Sequence, residues 1–342
     1  MCIICSNNFN KNIKILNSCS KITKIPNKCT KLEYINCFNT NISYISKSLS
    51  NLIYLNCSNT SIKTIPSTLT NLIYLNCSNT NITYIPRELD KLTYLDCSHN
   101  NIYNISSTFI NLRQLKCNNT KIHILSNKLK KLEKLNCSHC NITLLSPKYQ
   151  KLIFLNCSYN NIYMIPNSYS LLLFLNCSYN KIKYLSYRFI NLNYLNISFN
   201  KIKVLNYNYN KLNFLDISNT LIFNIPQSYT KLSFLRCFNT KLHFLHFNLI
   251  KLKFIYPIKY KKFHINTYVK YIHNKKLSNV VKQQINNSKG NCSICLDDLS
   301  INYQSNIIII NKCNHYFHKK CLFEWFSTNF SCPNCRDDII TK

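Results

Sequence analysis

The sequence of 342 residues predicts an α/β-type repeat solenoid, with a parallel β-sheet on its concave face and an extended or 3₁₀ convex side, followed by a small metal-stabilised α+β domain. Three observations carry this expectation. Leucine recurs every 20 residues from Leu32 to Leu252 with no insertion or deletion, and self-similarity at a fixed period is the mark of stacked supersecondary units. Within each unit the alternation seen in Leu55-Asn56-Cys57 gives a short strand with one buried face. Finally, Cys and His residues crowd the stretch from Cys292 to Cys335 with metal-ligand spacing.

Counting Leu52 as place 1, the unit Leu52, Leu55, Cys57, Ile62, Ile65 and Leu69 puts apolar residues at places 1, 4, 6, 11, 14 and 18, with the small polar Thr60 at place 9. This pattern resembles the leucine-rich repeat, over roughly the first 255 residues. The expected division is a cap over 1–11 and about twelve 20-residue units over 12–255. No unit can bury its face alone, so the units must stack and share one core. Twenty residues leave little room for a full helix between strands. Pro66, Pro86, Pro166 and Pro226, all at one place, point to an extended or short 3₁₀ return.

The cysteine content finds its explanation on this frame. Cys37, Cys57, Cys77, Cys97, Cys117, Cys137, Cys157, Cys177 and Cys237 all stand at place 6, which points inward, and Ile197 and Ile217 fill the same place. A metal ligand or obligatory disulfide partner does not tolerate isoleucine, so these thiols are read as small core residues. Cys2 and Cys5 form a further Cys-x-x-Cys, read as part of the cap. Thr and Asn dominate place 9, where a short polar side chain can bond the backbone groups of a buried strand-to-loop transition.

The exposed face of the sheet is the expected docking surface, because stacked repeats bind partners on their concave side. Place 3 is aromatic in most units, with Tyr54, Tyr74, Tyr94, Phe154 and Phe174 as candidate contacts, and aromatic residues are favoured interface anchors. An Asn row and then a Ser row run beside it. Lys116 and Lys134 interrupt the stripe and are the candidates for specificity.

From Lys253 to Asn291 the repeat is lost, and the segment carries nine Lys and no acid. Residues 256–291 are expected to cap the solenoid as a basic and largely helical linker, since Val269, Ile272, Val280 and Ile285 fall near helical spacing. The next domain, 292–336, offers Cys292, Cys295, Cys313, His315, His318, Cys321, Cys332 and Cys335, with two residues between the members of the first and last pairs. Zn²⁺ takes four tetrahedral ligands from thiolate and imidazole, so eight ligands imply two closed, structural Zn²⁺ sites. A short tail, 337–342, follows.

With two histidines at the fourth and fifth ligand positions, this segment resembles the RING finger; a plant-homeodomain finger carries one. The resemblance implies interleaved ligation, with Cys292, Cys295, His318 and Cys321 on one zinc and Cys313, His315, Cys332 and Cys335 on the other. It extends to Ile294, Trp325, Pro333 and Arg336, which in RING ubiquitin ligases form the groove for a ubiquitin-conjugating enzyme and the basic contact to its ubiquitin. The function it implies is that of a RING-type E3 ubiquitin-protein ligase. The RING holds the charged conjugating enzyme, the repeats recruit a protein substrate, and no covalent ubiquitin intermediate forms on this chain. The alternative is a non-catalytic, zinc-containing interaction scaffold.

The formal net charge is +32, which raises nucleic acid as a partner. Lys is spread over the repeats rather than gathered in one stripe, and Asn, Ile, Lys and Tyr are enriched together with a single Gly. That joint bias resembles coding by an AT-rich genome, such as that of a large DNA virus or a protist, so nucleic acid is not the expected partner. No apolar run reaches the roughly 20 residues that span a bilayer, and no membrane partner is expected. Free thiols in this number fit a reducing compartment. The expected location is intracellular, cytoplasmic or nuclear, or the host cytoplasm for a viral protein.

Overall fold

A three-residue strand holds too few hydrogen bonds to persist alone, so every strand here is defined by its neighbours. The computed structural model describes residues 12–17, 22–242, 245, 249, 251–252, 254–256, 281–283, 292, 294, 307–310, 313–318, 321–322 and 332–335. The chain divides into two units, Met1–Lys262 and Phe263–Lys342. Among the described residues of the first unit, strand β1 (Ile15–Asn17) is followed by one strand per repeat, from β2 (Tyr34–Asn36) to β13 (Phe254–Tyr256). All pair in parallel, in chain order. The register advances by 20 at every step, as in Tyr54↔Tyr74, except the first, where Ile15 meets Tyr34.

Pairing does not stop at the strand ends. The place-6 amide of each unit donates to the next unit's place-5 carbonyl, as Cys57 N–H does to Asn76 O at 2.8 Å, and place 8 repeats the bond two residues later, Asn59 N–H to Ser78 O at 3.0 Å. On the far side of the turn the bond runs backwards, Asn81 N–H to Ile62 O at 3.1 Å. The return segments hold isolated i→i+3 turns, such as Leu69 N–H to Pro66 O and Leu72 N–H to Leu69 O, and no helix is described between residues 22 and 242. The convex side is therefore extended with 3₁₀-like turns, as the prolines suggest.

Places 1, 4, 6, 11, 14 and 18 fill the core, and the place-6 cysteines are fully buried and free. Burial pushes thiols such as Cys57, Cys77 and Cys157 well above their ordinary range. Place 18 absorbs the largest side chains. Tyr149, Tyr169, Tyr209 and Tyr229 lie in the core, and each hydroxyl donates to a place-15 carbonyl of the preceding unit, as Tyr209 does to Ser186 O at 2.6 Å. A buried hydroxyl without such a partner would be costly.

Place 9 does the same for the strand-to-loop corner. Thr60 Oγ1 donates to Cys57 O at 2.7 Å. Asn160 donates through Nδ2 to the carbonyls of Cys137, Cys157 and Ser158, and its Oδ1 accepts the Ile142 N–H at 2.9 Å. One amide thus ties two repeats together. Cys140 occupies this place in one unit, with its thiol directed to Cys117 O at 3.2 Å. Place 8 is held at positive φ in the described units from Asn39 to Asn239. The chain has one Gly, so Asn and His, which tolerate this region, fill most of these positions; Tyr159, Tyr179 and Phe199 are the bulky exceptions.

In the second unit, β14 (Val281–Gln283), β15 (Ile307–Ile310) and β16 (Tyr316–His318) form an antiparallel sheet in that order. This corrects the helical expectation for 256–291 at Val281–Gln283, where the backbone pairs with β15. Val280-Val281-Lys282 does not alternate, and a segment this short cannot be told from one helical turn by sequence alone. Val269, Ile272, Val280 and Ile285 lie outside the described residues, as do the cap 1–11 and the tail 337–342.

Two outcomes follow. Replacing Asn160 with Ala leaves three carbonyls and one amide short of a partner and should lower stability by about 2–4 kcal/mol in urea denaturation. The buried place-6 thiols have folded pKa values above their unfolded value, so their contribution is complete below that value and is lost as pH rises above it. The place-6 contribution should hold flat below about pH 8.5 and then fall, with a limiting slope of about 1.4 kcal/mol per pH unit for each thiol; denaturation midpoints unchanged from pH 8 to 10 would contradict this.

Candidate metal centres and docking face

The second unit builds its ligands on one hairpin and its flanks. β15 ends at Ile310, whose carbonyl accepts the amides of Cys313 at 3.3 Å and Asn314 at 2.7 Å, while its own amide donates to His315 O at 3.0 Å. The chain can close so tightly because Asn314 takes φ 53°, a region Asn tolerates. The turn brings Cys313 and His315 back beside the strand. Beyond it, His315 and His318 are three apart in extended chain, so their side chains leave by opposite faces. This spacing sends the two histidines to different centres.

Cys313, His315, Cys332 and Cys335 bring their ligand atoms within 4.8 Å of one another, and so do Cys292, His318 and Cys321. Cys332 Sγ lies 3.4 Å from His315 Nδ1. A tetrahedral zinc spaces a sulfur and a nitrogen ligand about 3.6 Å apart, so the donor set fits that ion. Burial and the sulfurs of Cys332 and Cys335 push the Cys313 thiol up to about 12, against a hydrogen bond from the His315 backbone. Sulfurs gathered so closely call for a cation, which deprotonates a coordinating thiol outright. Cys295, Trp325 and Arg336 lie outside the described residues. Ile294 and Pro333 are half-buried beside ligand positions.

On the concave face, the place-3 rings stack. Tyr34, Tyr54, Tyr74 and Tyr94 form one ladder with centroids 4.2 Å apart, and Phe154, Phe174, Tyr194 and Phe214 form another at 4.2–4.4 Å. Gln114 and Lys134 separate the two. The rings lie closer than the strands themselves, which are about 4.8 Å apart, so their faces are hidden and their edges meet solvent. Lys116 sits 3.5 Å from Asp96 Oδ2 and 5.9 Å from the Tyr94 ring. Lys134 is exposed and forms no ion pair among the described residues.

The half-exposed Asn row and the Ser row that follows it bond to one another. Asn56 Oδ1 accepts both the amide and the hydroxyl of Ser58, at 3.2 and 2.8 Å, and Asn76, Asn136, Asn156, Asn176 and Asn196 repeat the motif with the serines that follow them. Ser58, Ser98, Ser158 and Ser178 are buried. These bonds build the turn and engage Oδ1 of each Asn, while the Asn side chains stay half-exposed. A further exposed stack went unread in the sequence: His139, Tyr159, Tyr179 and Phe199 at place 8, with centroids 3.9–4.1 Å apart. Its signal was a ring in place of Asn at four successive units.

Residues 290–336 match the family model of the Ring finger domain. This segment is a ring finger. It is 38% identical over 55 residues to the RING-H2 finger protein ATL79 of Arabidopsis thaliana, covering 16% of this chain and 32% of that protein. It is also 32% identical over 65 residues to the E3 ubiquitin-protein ligase RING1 of Gossypium hirsutum, covering 19% and 18%. The chain thus spans a third or less of these relatives. The repeats superpose on the functional domain of InlJ from Listeria monocytogenes, described as including a cysteine ladder, with TM-score 0.63 and 29% identity over 66% of this chain and 53% of that one. The first unit is a leucine-rich repeat solenoid, and its ring finger follows.

Asp96 and Asp216 stand at the Asn place and accept the Ser98 and Ser218 amides through Oδ1 in the same way. Asn176→Asp should therefore leave the thermal midpoint within a few degrees of the parent, whereas Asn176→Leu should cost about 1–3 kcal/mol by stranding the Ser178 groups.

Proposed function

We propose that the protein is a RING-type E3 ubiquitin-protein ligase, in which the ring finger binds a ubiquitin-conjugating enzyme and the concave face of the repeats recruits the substrate. The observation that carries the reading is the pair of interleaved Cys/His clusters in a segment whose relatives include proteins named E3 ubiquitin-protein ligases. Cys313, His315, Cys332 and Cys335 would hold one Zn²⁺, and Cys292, His318 and Cys321, with Cys295, the other. Bound zinc would supply folding free energy to this small module, and it would leave no free thiolate within the module for a thioester. Catalysis is then positioning: the conjugating enzyme and its ubiquitin are held where a substrate lysine can attack.

Ile294 and Pro333, half-buried beside the ligands, are assigned to the conjugating-enzyme contact, together with Trp325 and Arg336. The stacked place-3 rings present edges and, in Tyr, hydroxyls. That surface suits a protein partner better than nucleobases, which bind aromatic faces. Tyr54, Tyr74, Tyr94, Phe154 and Phe174 would anchor the substrate, with Lys116 and Lys134 setting its charge preference. The buried free thiols support a reducing, intracellular location.

The expected result is ubiquitin-chain formation by the zinc-loaded protein with at least one of a panel of conjugating enzymes. Ile294→Ala should reduce it by about tenfold at unchanged zinc content, since full burial of such a side chain contributes roughly 1.5–3 kcal/mol and Ile294 is half-buried before the partner binds. Cys332→Ser should lose bound metal as well. A zinc-loaded protein that is inactive with every enzyme of the panel would favour the scaffold reading instead.

A further inference from the structure

The charge of the solenoid is unevenly placed. Between Glu133 and Asp297 the sequence contains one acid, Asp216, and that residue is buried. In the same span two neighbouring repeats carry Lys at both place 10 and place 12: Lys181 and Lys183, then Lys201 and Lys203. All four are exposed. An AT-rich coding bias spreads lysine over outward places, but no other pair of adjacent units fills both places with it.

The backbone fixes the spacing of these cations. Lys181 N–H donates to Ile162 O and Lys201 N–H to Ile182 O, each at 2.9 Å, so the two pairs sit one repeat apart on the outer side of the turn. No acid lies within ion-pair reach of any of the four among the described residues. Lys181 lies over the Tyr163 ring at 5.5 Å.

Large apolar side chains stand out from the same repeats. Tyr184 is 60% exposed, Val204 68% and Tyr207 71%, with Phe223 on the next unit also exposed. Among the described residues no ring of this group stacks on another as the concave rings do. Their faces and tips are open.

We propose that this outer surface of the repeats around Lys181–Tyr207 docks onto an anionic lipid bilayer. Four chemical facts favour that occupant. The four cations at places 10 and 12 are lysines, point charges that suit a diffuse layer of phosphate and carboxylate head groups, whereas planar bidentate recognition calls for Arg; Arg188, exposed in the same stretch, lies over the Tyr187 ring at 5.8 Å. Lys is depleted at protein–protein interfaces. Tyrosine with an open ring and polar tip sits favourably at the head-group level. Single-stranded nucleic acid is tracked by a groove, and these side chains are exposed on the segments between strands. Surface docking needs no spanning segment, so it is consistent with the described residues, where no helix is long and apolar enough to cross a membrane. It revises the expectation of no membrane partner, which rested on spanning segments alone.

The test is co-sedimentation of the full-length, zinc-loaded protein with phosphatidylcholine vesicles, with and without phosphatidylserine. Binding is expected only with phosphatidylserine, and it should weaken as salt rises. Lys181→Glu with Lys201→Glu should lower the partition coefficient by about tenfold or more, and Lys183→Gln with Lys203→Gln should lower it less. Tyr207→Ser should weaken binding at unchanged net charge. Lys47→Glu with Lys63→Glu, an equal charge change on distant repeats, should have little effect. Absence of vesicle binding overturns the proposal, as does an equal loss in the distant pair. Salt-sensitive binding to single-stranded RNA, removed by the same substitutions and without vesicle binding, replaces it with a nucleic-acid surface.

Discussion

The structure depends on the hydrogen bonds that pass from one repeat to the next. Each unit contributes only three residues of strand, and beyond the strand it is tied to neighbours on both sides: place 6 and place 8 donate forward, while place 10 donates backward. A buried amide without a partner costs about 1–3 kcal/mol, so a change in length within one unit would strand several groups in two others. This explains why the period stays at 20 from Leu32 to Leu252 while side chains at outward places vary freely. Asn100, Asn160, Asn180 and Asn200 reinforce the same constraint, each amide reaching carbonyls in its own repeat and the one before.

Because the backbone is fixed in this way, the surface is an array. A side chain repeated in adjacent units must lie beside its copy, and aromatic rings respond by stacking, each pair adding about 0.5–1.5 kcal/mol beyond area burial. The place-3 ladders and the row from His139 to Phe199 follow from this geometry. In the latter, stacking accompanies a positive φ at Tyr159, Tyr179 and Phe199, a conformation that bulky residues rarely take. The same spacing sets Lys181 beside Lys201 without an intervening acid.

The repeat was legible in the sequence because its constraint is periodic: Leu at place 1, Cys at place 6 and Thr or Asn at place 9 each have one structural role, and the role repeats. The bonds of the Asn row at place 5 were not legible, because an Asn bonded to the amide two residues on looks, in sequence, like one with no local partner. The Cys/His groups of the ring finger were legible for a different reason, since ligand identity and spacing specify a tetrahedral donor set. That His315 and His318 part to opposite faces follows from extended chain, and the tight turn at Asn314 that delivers them was not marked by Gly or Pro. The strand Val281–Gln283 was hidden by its shortness and by the absence of alternation.

The most direct test of the account is native-state hydrogen exchange at the place-6 amides of the central repeats, Cys77, Cys117 and Cys157. Each is bonded to a carbonyl of the following unit. If one register locks the array, these amides should exchange with similar protection, in the same opening that unfolds the repeats around them. Protection that differs widely among the three, with one repeat opening while its neighbours stay closed, would contradict the claim that inter-repeat bonding holds the surface in place.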